Sequence, residues 1–462
     1  MCCTAIPGTI GAHAPTLKCV CDTSRISVGT RSTSVWYERN LSGNCEASHQ
    51  VSSENYIHRG TLVILKNIKL FTGMHRAEKI MLGMAFLSFV SLGMYEGSLG
   101  VAWPSIRHDF GLPLDYLGMI LVASTCGVLV SSFNSGWLLS RIDFGVLLVT
   151  ANLLRAVGML AIVVVPEWWM VVASALLLGF GAGTIDSGMN TFVAARYRSG
   201  PLNWLHACYG LGAMTAPLII TILLVNGLDW RWGFIFIAIL QVILALYFAL
   251  NLKHWSSRLL LNDTQNNAQE RAPSSLTLGM LIVWLGIAVF FFSTGVEASV
   301  GQWSFTLFTE GRAVSVNRAG LWVSIYWGSL TFGRILFGFI TERIGPTRLL
   351  RLGMAGMILG TLLFWWNPAN LVGFSGMALI GFSVAPIFPV MIGLSSARFG
   401  QQNAANAIGF QVAAAYLGSA LLPALVGVAA YALGLEVIGL LVLVFSVLTF
   451  ALHEVLVRKC GL

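Results

Sequence analysis

The sequence predicts an all-α membrane protein whose twelve transmembrane helices form two six-helix bundles related by pseudo-two-fold symmetry. Three observations predict this fold. Hydrophobic residues make up 56% of the chain and charged residues 10%, whereas soluble domains carry about 25% charged residues. Apolar runs of about 20 residues, each long enough to cross a bilayer as a helix, follow one another from residue 79 onward. The second half of the chain also repeats the first.

The internal repeat has an offset of about 202 residues. Gly136–Arg141 aligns with Gly338–Arg343 at that offset, and Glu96–Gly100 aligns with Glu297–Gly301 at an offset of 201. Parallel repeats in transporters place a ligand at the interface between the two copies. The repeat therefore predicts two related halves with a binding site between them.

Residues 1–73 differ from the rest of the chain. They are polar, rich in Ser and Thr, and hold five of the eight cysteines. They show neither a sustained helix or strand period nor the apolar region of a secretory signal peptide. We expect a disordered extension, or one produced by a start site annotated upstream of Met74; an organelle transit peptide is the alternative.

Each half contains six apolar runs. Residues 74–252 predict helices 1 to 6 and residues 276–462 predict helices 7 to 12, with a flexible cytoplasmic linker at 253–275. Backbone groups in lipid must be hydrogen-bonded within the protein, and the runs are too long for barrel strands, so they are helices. The predicted helices cover residues 80–103, 115–139, 145–165, 168–192, 203–225, 231–251, 277–303, 319–341, 347–367, 370–396, 404–431 and 434–457.

The positions of Lys and Arg predict the orientation. From Met74 onward, one set of loops and ends carries fourteen of them and the opposite set carries four, which are Arg107, Arg231, Arg312 and Arg318. Because positively charged loops remain in the cytoplasm, we expect both ends of the helical region there, in the plasma (inner) membrane. The net charge of +8 is then a topology signal, and no nucleic-acid partner is expected.

A loop pattern G-x-x-x-[D/E]-R-x-G-x-x-[R/K] follows predicted helix 8. It consists of Gly338, Glu342, Arg343, Gly345 and Arg348. On this pattern the chain resembles the major facilitator superfamily, which implies the two-bundle fold and a hydrogen-bonded latch that closes the inward gate. The alternative is that these charges only set the orientation of the protein in the membrane. The equivalent segment after helix 2 keeps Gly136 and Arg141 but has Ser140 in place of the acid and Asp143 in place of the second glycine.

Within that superfamily the chain resembles the fucose-permease-like group. The resemblance lies in Gly179–Asn190, Leu205–Gly212 and Ala385–Pro389. It implies proton-coupled uptake of a small polar solute, with sugars the best-known cargo. It also implies that acids in helices 1 and 4 serve proton coupling and sugar binding, and Glu96 and Asp186 are the acids in those helices here.

Six ionisable residues fall within predicted helices, where a charge costs about 2.5 kcal/mol or more and is usually functional. They are Glu96, Arg155, Asp186, His206, Glu297 and Arg334. Glu96 is a candidate proton carrier, and Glu297 repeats it in helix 7. Asp186 and Asn190 lie on one face of helix 4, where a carboxylate beside an amide can bind sugar hydroxyls. The alternative is a permanent ion pair for Glu96, a helix-packing hydrogen bond for Asp186, and a structural relic of the repeat at the cavity wall for Glu297.

Most of the other candidate residues also have both a functional and a structural interpretation. His206 with Tyr209 is a candidate proton relay or a bond within the turn between helices 4 and 5. Arg155 and Arg334 have no repeat partners, because the corresponding positions are Met357 and Ser132; each is a candidate modulator of a nearby acid or a member of a static salt bridge. Further polar candidates are Gln302 and Trp303 near the outer mouth, where Trp303 is a sugar-stacking ring or an interface anchor, and Gln411 in helix 11.

No nucleotide-binding P-loop, zinc-protease motif or metal-binding cysteine spacing is present in the sequence. We therefore expect neither an enzyme nor a cofactor or metal. The sequence favours a monomeric secondary transporter that moves a small polar solute, a sugar, with protons by alternating access. A proton-coupled efflux antiporter and a non-transporting nutrient sensor on the same fold remain alternatives.

Overall fold

The computed structural model describes residues 25–30, 33–39, 45–52, 76–196, 199–255 and 272–460. They belong to two compact units, Met1–His75 and Arg76–Leu462. Most of the linker predicted at 253–275 lies outside the described residues.

The described part of the first unit is a three-stranded antiparallel sheet with the strand order β1-β2-β3. Its strands are β1 (Arg25–Thr30), β2 (Thr33–Arg39) and β3 (Cys45–Ser52). We predicted no strand in these residues from the sequence. β1 and β2 carry β-branched or aromatic residues at alternating positions, which favours pleated structure. In β3 only Val51 is of this kind, so the sequence of that strand gives no such signal. The rest of 1–73 lies outside the described residues.

The second unit is helical. Within the described residues, twelve helices are long and apolar enough to cross a membrane. They are α1 (Arg76–Asp109), α2 (Leu117–Phe133), α3 (Phe144–Val164), α4 (Trp168–Arg196), α5 (Ser199–Val225), α6 (Arg231–Leu250), α7 (Leu281–Thr306), α8 (Val316–Ile344), α9 (Pro346–Trp366), α10 (Asn370–Val384, continued by Ile387–Gly393), α11 (Gln401–Leu433) and α12 (Val437–Lys459). The predicted number and order of transmembrane helices are confirmed.

Short helical segments and breaks refine that prediction. The short segments are Leu114–Tyr116, Ser135–Arg141, Leu252–Trp255, Ser274–Leu278, Leu307–Gly311 and Ser395–Phe399. Predicted helix 2 bends at Asn134, where the backbone leaves the helical region. Predicted helix 10 is interrupted at Pro386, because proline lacks the N–H that would continue the helix.

The two halves pack their helices in the same way. In the first half α1 packs on α5, α2 on α4, and α3 on both α4 and α6. In the second half the equivalent pairs are α7 with α11, α8 with α10, and α9 with both α10 and α12. The halves meet through α5 with α8, α2 with α11 and α1 with α7. The predicted arrangement of two related bundles is therefore present in the packing.

Glycines allow the close contact between α1 and α5. A Cβ atom at Gly93 would overlap the carbonyl oxygen of Tyr209, and one at Gly212 would overlap the carbonyl oxygen of Val90. Small residues at such positions let helix backbones approach one another closely. This contact holds Tyr209 near the middle of the protein, where the candidate site forms.

We expect Gly93→Ala to destabilise the protein, because the added methyl group overlaps backbone that cannot move aside. Overpacking of this kind costs about 1–3 kcal/mol, and the expected result is a lower thermal midpoint of the purified protein in detergent. Gly83→Ala, on the same helix, is the matched control, since no atom lies within 4 Å of a Cβ placed there. Equal midpoints for the two variants would contradict this account of the contact.

Candidate functional site

Most of the predicted intramembrane ionisable residues gather where the two halves meet, around Tyr209 of α5. Tyr209 lies close enough to Glu96, Asp186, Glu297 and Arg334 to interact with them electrostatically. These four residues come from α1, α4, α7 and α8, so both halves contribute to one polar region. A charge facing lipid would be costly, whereas at this seam each charged group has polar neighbours.

Glu96 is half-buried and has an amide as its nearest polar neighbour from the other half. The Nε2 atom of Gln302 lies 3.4 Å from Oε1 of Glu96 and 3.3 Å from its carbonyl oxygen. Gln302 is 1% exposed. Among the described residues Glu96 takes part in no ion pair, and Arg155 and Glu297 act on it at longer range. The Glu96 carboxyl group can therefore exchange a proton without breaking an ion pair.

Glu297, the repeat counterpart of Glu96, has a different environment. Its two carboxylate oxygens lie 3.1 and 3.4 Å from Nη2 of Arg334, and the Tyr326 hydroxyl donates to its carbonyl oxygen at 2.7 Å. The position equivalent to Arg334 in the first half is Ser132, which cannot supply a charge. The repeated acids therefore differ in chemistry: among the described residues, Glu297 is salt-bridged and Glu96 is not.

Asp186 accepts hydrogen bonds from both halves. The Asn190 amide donates to its Oδ1 atom at 3.0 Å from the next turn of α4, and the Tyr416 hydroxyl of α11 donates to its Oδ2 atom at 2.8 Å. Sequence reasoning predicted the pair of Asp186 and Asn190 but missed Tyr416. A tyrosine in an apolar helix carries no distinguishing sequence signal, because its usual role there is packing.

His206 lies at the edge of this region nearer to the start of α5. Its ring is exposed, contacts Phe89 edge-to-face at 5.6 Å between centroids, and lies near Asp186 and Arg334. Hereafter the terminal side of the bundle is the side on which α1 begins and α12 ends. Since α5 begins on that side, His206 lies near the terminal side of the site.

Arg155 lies inside the first half instead of at the seam. It is 1% exposed, and its Nη2 atom donates to the carbonyl oxygen of Ser91 at 3.3 Å. Its guanidinium carbon lies 6.0 Å from the centre of the Tyr95 ring. Neither Nε of Arg155 nor the Tyr95 hydroxyl has a hydrogen-bond partner among the described residues. Arg155 therefore influences Glu96 through space, without a direct bond.

Trp303 and Gln411 are enclosed by their own half. Trp303 is fully buried, and its indole donates to the carbonyl oxygen of Pro423 at 2.8 Å, so this conformation offers no open ring face to a solute. Gln411 is also fully buried and accepts a hydrogen bond from Ser395 at 3.2 Å. Both side chains join α11 to neighbouring segments of the second half.

The predicted gating segments lie on the terminal side. Glu342, Arg343 and Arg348 are exposed around the connection from α8 to α9, where Gly345 adopts a positive φ of 88° that favours glycine. In the first half, Arg141 is exposed at the end of the short helix Ser135–Arg141 that also contains Gly136.

The opposite side of the seam is closed by contacts between the halves. Nη2 of Arg107, at the end of α1, lies 2.5 Å from Oε2 of Glu310, just beyond α7. The exposed ring of His206 lies on the terminal side. In this conformation an ion pair thus joins the halves on the side opposite to the terminal side, and His206 is exposed on the terminal side.

Known proteins share both the sequence pattern and the fold. A family model described as Major Facilitator Superfamily matches residues 82–366. The glucose/mannose transporter GlcP of Bacillus subtilis (strain 168) is 25% identical over 360 residues, which cover 75% of this chain and 86% of the relative. Bypass of stop codon protein 6 of Saccharomyces cerevisiae is 22% identical over 399 residues, which cover 79% of each chain.

Solved structures with the same fold include two transporters. A bacterial homologue of the human lysosomal transporter Spinster, in an inward-facing and occupied conformation, has a TM-score of 0.68 at 13% identity and covers 84% of this chain and 98% of its own. A D-xylose-proton symporter has a TM-score of 0.64 at 14% identity, with coverages of 80% and 96%. At these identities the likeness is one of fold.

We expect Glu297→Gln to destabilise the protein more than Arg334→Gln. Removing the acid leaves a guanidinium that cannot lose its charge, whereas removing the arginine leaves a carboxyl group that can take up a proton. Removing one partner of a buried ion pair costs about 3–5 kcal/mol of folding free energy. Because this pair is partly exposed, we expect the cost of Glu297→Gln to lie at the lower end of that range. The thermal midpoints of the purified variants in detergent measure this order.

The double variant Glu297→Gln with Arg334→Gln is the control for the ion pair. It removes both charges while keeping side chains of similar length, and we expect its midpoint to recover most of the loss seen in Glu297→Gln. If the two single effects simply add, the two residues do not interact in the way their distances indicate.

Proposed function

The chain belongs to the Major Facilitator Superfamily, and we propose that it is a secondary active transporter that imports a small polar solute, a sugar, together with protons. Support for the sugar class comes from the similarity to a glucose/mannose transporter and from a site rich in groups that bind hydroxyls. Support for alternating access comes from the two related bundles, which enclose this site at their interface and close it on one side.

The proposal of proton coupling rests on the different partners of the Glu96 and Glu297 carboxyl groups. Both acids occupy equivalent positions in the repeat, but Glu297 is bound to Arg334 and Glu96 faces the amide of Gln302. An amide can donate to an ionised carboxylate and accept from a protonated one, so it tolerates both states. We assign proton carriage to Glu96 and a structural role to the Glu297–Arg334 pair.

Solute binding is assigned to the region around Asp186. Asp186 and Asn190 supply acceptors and a donor for hydroxyl groups, while His206 and Tyr209 line the approach from the terminal side. Arg155 acts on the charge of Glu96 from within the first half. Trp303 and Gln411 are left out of the binding site, because both are enclosed in packing.

The terminal side is assigned to the cytoplasm of a plasma (inner) membrane, as the excess of Lys and Arg on that side predicts. In this orientation the observed conformation faces inward. The exposed residues Glu342, Arg343 and Arg348 then lie where a latch would form when the inward side closes. Opening on the other side would require separation of Arg107 from Glu310.

The test is uptake of labelled D-glucose and D-mannose by proteoliposomes under an imposed pH gradient, acid outside. We expect the wild-type protein to accumulate solute. Glu96→Gln should lose proton-driven accumulation and only equilibrate the solute, because a glutamine cannot carry a proton, while exchange of labelled for unlabelled solute remains. Asp186→Asn should lose accumulation and exchange together, since it weakens solute binding.

Glu167→Gln is the matched control, because Glu167 is an exposed acid in the connection between α3 and α4 and its removal should change neither activity. Full proton-driven accumulation by Glu96→Gln would refute the coupling role. A pH gradient that drives solute outward would favour the antiporter over the importer.

A further inference from the structure

Asp186 has no carboxylate oxygen free of a protein donor in the observed conformation. Its Oδ1 atom accepts from Asn190 within α4, and its Oδ2 atom accepts from Tyr416 of α11 at 2.8 Å. Tyr416 and Asp186 are both half-buried at the seam. The bond from Tyr416 therefore does two things: it satisfies the carboxylate, and it joins the two halves of the protein.

Asn190 presents an acceptor with no partner next to this carboxylate. An ionised carboxylate only accepts hydrogen bonds, so the amide nitrogen of Asn190 must face Asp186 and its Oδ1 atom must point elsewhere. That oxygen is buried and has no hydrogen-bond partner among the described residues. A donor that reaches this oxygen would satisfy it, and the described protein atoms supply none.

We propose that the Tyr416 hydroxyl occupies, in the unloaded protein, the place of a solute hydroxyl on Asp186. The site then recognises two neighbouring hydroxyl groups of a sugar or related polyol. One hydroxyl donates to Oδ2 of Asp186 in place of Tyr416, and the other donates to Oδ1 of Asn190. This inference rests on the proposed transport function, and it identifies Tyr416 as a positioning residue that competes with the solute.

Competition between Tyr416 and the solute couples solute binding to the contact between the two halves. In the unloaded protein the bond between Asp186 and Tyr416 ties α4 to α11. When a solute hydroxyl takes its place, both acceptors are satisfied by the solute and this tie is absent. The loaded protein is thus released from a bond across the seam without leaving a buried carboxylate unpaired, which would be costly.

Tyr416→Phe tests the competition, because it removes the hydroxyl and keeps the ring. We expect the dissociation constants for D-glucose and D-mannose, measured by calorimetry on the purified protein, to fall about three- to tenfold. This range reflects the loss of one competing hydrogen bond to a charged group, reduced by water that can replace it. Tyr431→Phe is the matched control, since Tyr431 is a largely exposed tyrosine on the same helix, and it should bind as the wild type does.

An unchanged affinity in Tyr416→Phe would overturn the inference, because Tyr416 would then not compete. A weakened affinity would overturn it as well, since the hydroxyl would then contact the solute. Monodeoxy derivatives of glucose test the paired hydroxyls: removal of either of two adjacent hydroxyls should weaken binding. Equal binding of all monodeoxy derivatives would argue against recognition of a pair.

A second measurement needs no solute and so separates this inference from the proposed function. Spin labels on Ser140→Cys and Ser396→Cys, in a background without other cysteines, report the distance between the halves on the terminal side, where both positions are exposed. Without solute, Tyr416→Phe should shift this distance distribution, whereas Tyr431→Phe should not. If the distance shifts but the protein transports no sugar, the sugar assignment is refuted and the Tyr416–Asp186 bond still joins the halves. If transport is normal and the distance does not shift, that bond does not join the halves.

Discussion

The cost of charge in hydrocarbon governs the arrangement of this protein. An ionisable side chain within a membrane-spanning helix has to find polar neighbours inside the protein, and here most of them do so at the seam between two helical bundles. Glycines bring α1 and α5 close together, which holds the Tyr209 hydroxyl among three acids and an arginine. The seam is thus both the place where the halves meet and the place where charge is tolerated.

The two halves share the same helix packing, but they differ in the charged residues around the equivalent acids. Glu96 and Glu297 share one position in the two halves, yet Arg334 has Ser132 as its counterpart. One added cation makes the second acid part of an ion pair and leaves the first with an amide partner. Arg155 is likewise confined to the first half, since its counterpart is Met357. Equivalent helices therefore place the two acids in different surroundings.

Two of the hydrogen bonds that cross the seam between described residues at the candidate site end on carboxyl groups. Gln302 of the second half donates to Glu96, and Tyr416 of the second half donates to Asp186. Any event that changes what these acids can accept, such as proton uptake or arrival of a hydroxyl, also changes how the halves are joined. If the protein carries out the proposed transport, these bonds connect occupancy of the site to conformation directly, and no signal has to travel through the helices.

By itself the sequence determined the class of protein, the number and order of the helices and the division into two halves, because apolar runs and repeats are visible along the chain. It also identified the five intramembrane ionisable residues at or beside the seam, because charges within apolar runs are visible in the same way. Tertiary structure alone decided which of them act together. Gln302 and Trp303 are adjacent in sequence, but the rotation of α7 directs one to Glu96 and packs the other against Pro423. The same reason explains why the sequence predicted neither the contact of Tyr416 with Asp186 nor the sheet of β1, β2 and β3. Hydrogen-bond partners that are distant in the chain are determined by how elements pack, and a local sequence pattern does not show this.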